Sequence, residues 1–97
     1  FLNYKELIHS KEVDAIVIAT PDHWHAPIAI EAINAGVHVY IEKPMTHNIS
    51  ETYALREAVL ANPKVVFQLG HQHRQTQSFL TAQDIIAKKI LGHVSLI

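Results

Sequence analysis

Short apolar runs alternate with segments of helical periodicity along the whole chain. Three of these runs are rich in β-branched or aromatic residues and predict strands at 15–19, 37–41 and 65–69. The first run is almost wholly apolar, which is typical of a strand covered on both faces of a sheet. Pro44 prevents the second strand from continuing past Lys43.

Four other segments carry the signals of helices. The first can be capped by Asn3, with Glu6 as its capping-box partner. The second follows Pro27, which suits a first helical turn, and Gly36 fits its C-terminal cap. The spacing of apolar residues in this second helix predicts one buried face: Ile28, Ala29, Ala32 and Ile33.

The third and fourth helices lie on either side of the last predicted strand. Asn48 or Ser50 can cap the third helix, which ends before the Asn-Pro pair at 62–63. The fourth helix runs over about 77–91 and ends at Gly92. The apolar residues expected to face inward are Tyr53, Leu55, Val59 and Leu60 in the third helix and Phe79, Ala82, Ile86 and Ile90 in the fourth.

Strands separated by helices predict right-handed βαβ units and therefore an α/β fold with a three-stranded parallel sheet. We expect Tyr40 to pack in the core of this fold. Residues 94–97 resemble the start of a further strand, and both ends of the chain look truncated. A sheet of three strands has bare edges, so we expect it to pair with another element or to be marginally stable.

Composition narrows the class of protein. The 97 residues include 48% hydrophobic residues, which favours a globular fold over disorder. The formal net charge of −1 gives no basic footprint, so we expect neither nucleic acid nor an anionic membrane as a partner. The chain has no cysteine and therefore no disulfide or thiolate metal site.

Polar residues follow each predicted strand, at the edge of a parallel sheet where ligands usually bind. They occupy 20–25, 42–44 and 71–74. Lys43 could bind a hydroxyl group and move its proton, or it could be a surface lysine paired with Glu42. The loop at 20–25 could stack on a planar ligand, or it could be a helix-entry turn capped by Asp22.

The third polar segment leaves two interpretations open as well. Arg74 could hold a phosphate or carboxylate, or the segment could be a solvated loop. Two His-x-His pairs also raise the possibility of zinc: His23 with His25 and His71 with His73. Alternate residues of an extended segment point to opposite faces, and no carboxylate recurs at ligand spacing, so we expect no metal.

The segments 13–21 and 35–44, together with His25 between them, resemble the Gfo/Idh/MocA family of glucose–fructose oxidoreductase and inositol dehydrogenase. The Glu-Lys-Pro of 42–44 is the family's signature. The resemblance implies a Rossmann-type NAD(P)-binding domain of which residues 1–97 form the C-terminal half. It also implies an NAD(P)-dependent dehydrogenase that acts on a sugar, a polyol or a related hydroxyl compound.

The resemblance also assigns residues to the site. It implies Lys43 as the catalytic candidate and as one of eight residues near the cofactor, NAD or NADP. Those eight residues are Thr20, Pro21, His25, Glu42, Lys43, Pro44, Gln72 and Arg74. Pro44 is often preceded by a cis peptide bond in the family. The resemblance further implies a homo-oligomer in the full-length form, and the cytoplasm is the favoured location.

The family's Gly-x-Gly-x-x-Gly, which seats the pyrophosphate of the cofactor, is absent from this sequence. We therefore expect the 97 residues alone to lack dehydrogenase activity. Two alternatives remain beside the dehydrogenase: a non-catalytic truncated module that associates through its open sheet edges, and an NAD-dependent glycoside hydrolase of the same family.

Overall fold

The computed structural model describes residues 1–95 and has the predicted α/β architecture. Helices and strands alternate along the chain, and one 3₁₀ turn at Asp22–Trp24 precedes the second helix. The elements are α1 (Tyr4–His9), β1 (Ala15–Ile18), α2 (His25–Asn34), β2 (His38–Ile41), α3 (Ile49–Ala61), β3 (Phe67–Leu69) and α4 (Gln77–Ala87).

The three strands form one parallel sheet in the order β1-β2-β3, which confirms the predicted topology. Ile18 is paired with Ile41, and Ile41 is paired with Leu69. Because these three residues are the last of their strands, the strands end side by side. The polar segments that follow them therefore leave the sheet at one common edge.

The core lies between the sheet and the helices α2 and α3. The predicted inner face of α2 is confirmed, since Ala29, Ala32 and Ile33 have no exposed surface and Ile28 is 7% exposed. The strands contribute alternate residues to the same cluster, among them Val39 and Ile41 of β2. In α3 the buried residues are Leu55 and Ala58 rather than the whole predicted set.

Gly36 ends α2 as predicted. Its φ of 83° lies in the left-handed region, which a residue without Cβ adopts at little cost. The amide of Gly36 donates to the carbonyl of Ile33, and the amide of Val37 donates to the carbonyl of Ala32. These two bonds form a Schellman motif, which turns the chain directly into β2.

One prediction about the sheet is wrong for the part of the chain that the structure describes. Val17 is 72% exposed and Tyr40 is 38% exposed, so β1 and β2 are covered on one face only. Tyr40 therefore does not pack in the core. The reason is that α2 and α3 pack together on the same face of the sheet, where they cover Ile18, Val39 and Ile41.

Two helices also differ from the predicted burial. In α3, Tyr53 and Leu60 are more than half exposed. In α4 no described residue is buried, and the helix ends at Ala87 rather than at Leu91. Residues 94 and 95 lie outside any strand, whereas the rest of the predicted strand at 94–97 falls outside the described residues.

Candidate functional site

The common sheet edge brings the first two predicted site segments together. Thr20 and Lys43 each lie two residues beyond the end of their strand, and both are exposed. The amide of Glu42 donates to the carbonyl of Ile18 over 2.9 Å, so the two strand ends are joined by main-chain hydrogen bonding up to the point where the loops begin. The ends of β2 and β3 are joined in the same way, because the amide of Gly70 donates to the carbonyl of Ile41 over 2.8 Å.

Lys43 is not held by the partner that the sequence offered. Within residues 1–95, no hydrogen bond or ion pair engages its ammonium group. The neighbouring Glu42 instead accepts a hydrogen bond of 3.4 Å from the Tyr40 hydroxyl. The Lys43–Pro44 peptide bond is cis. An exposed cation with no partner in the described chain can contact a ligand without first breaking an ion pair.

His25 lies beneath this surface rather than on it. It is 2% exposed and is the first residue of α2. Its Nδ1 lies 2.6 Å from the carbonyl oxygen of Pro44, and its Nε2 lies 2.9 Å from the carbonyl oxygen of Thr20. The ring therefore connects the loop after β1 to the loop after β2.

The 3₁₀ turn forms a polar cluster beside these loops. The Asp22 carboxylate lies 3.3 Å from Nδ1 of His47 and accepts the amide of His23 over 2.9 Å. The hydrogen bond from His47 is the main cause that lowers the pKa of Asp22, and desolvation partly opposes it. The His23 amide and the charges of His47 and His23 lower the pKa further. Trp24 is 46% exposed and meets the Tyr4 ring edge-on, with 6.2 Å between centroids.

Sequence reasoning missed the part that His47 plays in this cluster. His47 lies 25 positions from Asp22 and carries no local motif. His47 can reach Asp22 only because the loop between Pro44 and α3 passes beside the 3₁₀ turn. The one available signal was its position next to Asn48, the residue that caps α3.

The third polar segment is at the same sheet edge but in a separate depression. His71, Gln72, His73 and Arg74 line a space of about 450 Å³ with Phe79 of α4. The His73 and Phe79 rings stack with centroids 5.9 Å apart. Neither Thr20 nor Lys43 lines this space, so the structure brings Gln72 and Arg74 to the predicted edge without joining them to the first two segments.

The described residues contain no group of three or more histidine or acidic side chains that could hold a metal ion. The donor set at the sheet edge suits a different ligand. It offers the hydroxyl of Thr20, the carboxylate of Glu42 and the ammonium of Lys43, which together can bind sugar hydroxyl groups and ribose.

In residues 1–95, no helix is long and apolar enough to cross a membrane.

Known proteins that are similar to this chain include oxidoreductases and a glycosyl hydrolase. An uncharacterised oxidoreductase of Escherichia coli is 35% identical over 91 residues, which are 94% of this chain and 26% of that protein. A glycosyl hydrolase family 109 protein of Shewanella is 37% identical over 54 residues, or 56% of this chain and 12% of that protein. The chain thus spans about a quarter of the first relative's length.

Solved structures agree with the fold. The structure of a myo-inositol 2-dehydrogenase from Lactobacillus plantarum superposes on 97% of this chain with a TM-score of 0.88 and 31% identity. The matched part is 28% of the length of that dehydrogenase. A scyllo-inositol dehydrogenase from Lactobacillus casei, solved with bound NAD(H) and scyllo-inositol, matches 96% of this chain and 27% of its own, with a TM-score of 0.87 and 25% identity.

A family model supports the same assignment over most of the chain. The model for the oxidoreductase family with an NAD-binding Rossmann fold matches residues 1–71. This range contains all three strands and the Glu-Lys-Pro segment at 42–44. The chain therefore belongs to the Gfo/Idh/MocA family of NAD-binding oxidoreductases.

Proposed function

We propose that the full-length protein is an NAD-dependent dehydrogenase that oxidises a hydroxyl group of a polyol or sugar. The single observation that carries this proposal is the position of Lys43, which is exposed, unpaired in residues 1–95 and next to the loop of Thr20. The solved relative that contains NAD(H) and scyllo-inositol supports the same ligand class.

In this proposal the chain forms the C-terminal half of the nucleotide-binding domain and the nicotinamide side of the site. Bound NAD supplies the acceptor for a hydride from the carbon that bears the hydroxyl group. Lys43 binds that hydroxyl and passes on its proton, so that a carbonyl compound, NADH and one proton are formed. Five exposed or half-buried residues would line the cofactor and substrate around Lys43: Thr20, Pro21, Glu42, Lys43 and Pro44. Gln72 and Arg74 would contact the cofactor from the separate depression after β3.

The first experiment measures NADH formation by the full-length protein with a panel of inositols and sugars. We expect Lys43→Ala to lower kcat by about 100-fold or more, because general acid–base groups contribute about 10²–10⁴-fold. The midpoint of urea unfolding should stay the same, because Lys43 is exposed. Equal turnover of the variant and the wild type would overturn the catalytic role of Lys43.

Lys64→Ala is the matched control. Lys64 is also an exposed lysine, but it precedes β3 and therefore lies at the opposite edge of the sheet. We expect this variant to keep wild-type turnover. Failure of the full-length protein to bind NADH, measured by quenching of protein fluorescence, would favour the alternative of a non-catalytic module.

A glycoside hydrolase that uses NAD is the second candidate, and the similarity to the Shewanella glycosyl hydrolase supports it. Such an enzyme oxidises and then reduces its substrate, so NAD is restored in each cycle. Cleavage of aryl glycosides without net formation of NADH would favour this candidate. Net NADH formation with free inositols would favour the dehydrogenase.

A further inference from the structure

Among the described residues, His25 is the only buried polar or charged side chain. Burial of such a group is costly unless its polar atoms find partners. Both ring nitrogens of His25 have one, and both partners are main-chain carbonyl oxygens, of Pro44 and Thr20. A carbonyl oxygen only accepts hydrogen bonds, so each of the two contacts needs an N–H on the ring.

A neutral imidazole has a single N–H. In either neutral form one contact would place a nitrogen lone pair against a carbonyl oxygen at 2.6 or 2.9 Å. A ring with a proton on each nitrogen satisfies both contacts at once. Both contacts are short, 2.6 Å at Nδ1 and 2.9 Å at Nε2, as expected of charge-assisted hydrogen bonds, which are shorter than neutral ones and about twice as strong.

We propose that His25 is a positioning residue that ties the loop after β1 to the loop after β2, and that it does so with both ring nitrogens protonated. This proposal rests on the proposed function in one respect, because the loop it holds carries Lys43. Pro44 directly follows Lys43, so the bond to the Pro44 carbonyl fixes the main chain next to the proposed catalytic side chain.

The charged groups of the neighbouring segments do not supply the partner of His25. Asp22 and His23 lie on the 3₁₀ turn, Glu42 and Lys43 precede Pro44, and His47 follows it. Asp22 bonds to the His47 ring and the His23 amide. Glu42 bonds to Tyr40.

The position of His25 at the start of α2 is also unfavourable for a cation, because the helix dipole is positive there. The two carbonyl oxygens are therefore the groups that stabilise the doubly protonated ring. If either contact is lost, the reason for the second proton disappears with it.

The test begins with the wild-type, full-length protein. Nitrogen–proton correlation spectra of ¹⁵N-labelled histidine rings should show attached protons on both nitrogens of His25 at pH 7. His25→Gln removes the ring and identifies its signals. A single protonated nitrogen on His25 would overturn the proposal, whether or not the protein is a dehydrogenase.

The second measurement is hydrogen exchange in His25→Gln, with His9→Gln as control because His9 is an exposed histidine on α1 that bonds to Glu31. The amide of Glu42, bonded to Ile18, and the amide of Trp24, bonded to Pro21, report the two loops. Exchange at both should rise about tenfold, the effect of losing roughly one net hydrogen bond. The amide of Val39, inside the sheet, should not change.

The third measurement tests whether the link that His25 makes between the two loops affects turnover. We expect His25→Gln to lower kcat by roughly tenfold, with less than about a threefold change in the KM for NAD, because loss of the proper geometry slows the chemical step. A larger effect on KM than on kcat would contradict a positioning role at Lys43. If the protein shows no dehydrogenase activity, the spectra and the exchange rates still decide whether the tie exists.

Discussion

The ring of Tyr40 lies directly over Gly70, at the end of β3 and on the open face of the sheet. A Cβ atom built on Gly70 would overlap the Tyr40 hydroxyl and stand 2.8 Å from Cζ of the ring. Gly70 is buried, and the Tyr40 ring lies against it. The Tyr40 side chain passes over Gly70 to bond to Glu42, and it can do so because Gly70 has no side chain.

The first prediction follows from this contact. Gly70→Ala should push the Tyr40 ring aside and destabilise the protein by about 0.5–1 kcal/mol, because the atoms that the new methyl group meets are at the far end of a partly exposed side chain. Tyr40→Val removes the ring and keeps a β-branched residue in β2, so the double variant should recover most of that loss. Unfolding in urea gives the free energies. If the two changes are additive, the contact with Tyr40 is not the cause.

Gly36 provides a contrasting case. A Cβ atom at this position would meet nothing within 4 Å, so any cost of Gly36→Ala comes from its φ of 83°. We expect a loss of about 1 kcal/mol in the free energy of unfolding. Gly36→Asn should lose less, because asparagine tolerates the left-handed region better than alanine. Adding Tyr40→Val should not restore the stability of either Gly36 variant, whereas it should restore most of the stability lost in Gly70→Ala.

The third prediction compares two leucines of α3. Leu55 is 1% exposed, whereas Leu60 on the same helix is 58% exposed. Leu55→Ala should cost about 2–5 kcal/mol, because it removes buried methyl groups and leaves a cavity. Leu60→Ala should change the free energy of unfolding by less than about 0.5 kcal/mol. Similar losses in the two variants would mean that another surface covers Leu60 in the full-length protein.

The fourth prediction concerns two carboxylates, each bonded to a histidine. The hydrogen bond from His47 lowers the pKa of Asp22, and the bond from His9 lowers the pKa of Glu31. His47→Phe should therefore raise the pKa of Asp22 and leave Glu31 unchanged. His9→Phe should do the reverse, so each variant is the control for the other. Carbon NMR titration of the carboxyl groups measures both.

The sign of the pH dependence follows from the same two groups. Folding lowers the pKa of each carboxyl, so the folded state favours the ionised form. The stabilisation is present above the ordinary carboxyl pKa of about 4 and is lost as the pH falls through the lowered value. The drop in stability below about pH 4 should be smaller in both variants than in the wild type.

Much of the fold was predictable because its periodic signals were local. The run at 37–41 with Gly36 before it and Pro44 after it fixes β2 within one residue. The face of α2 was also correct, since its apolar residues have helical spacing. The sequence of α3 carries apolar residues on more than one side, so spacing alone could not tell that Leu55 is buried and Leu60 exposed.

The candidate site was predictable only as a location. Parallel strands that end together bring Thr20 and Lys43 to one edge, and this conclusion needs no side-chain detail. The contacts of His25 with two carbonyl oxygens depend on the conformations of two loops. Such conformations are not encoded in hydrophobic periodicity, so the sequence offered His25 as a cofactor ligand, which stays a prediction.

The pairing of β2 also limits how this protein can change in evolution. Val39 and Ile41 face the core while Tyr40 faces the open side, and Lys43 follows two residues later. Inserting or deleting one residue in β2 would reverse the side chains that follow the change and shift the lysine by the same step. Changes of length are therefore expected in the loops beyond the strand ends, while the segment from Gly36 to Pro44 should vary only by substitution.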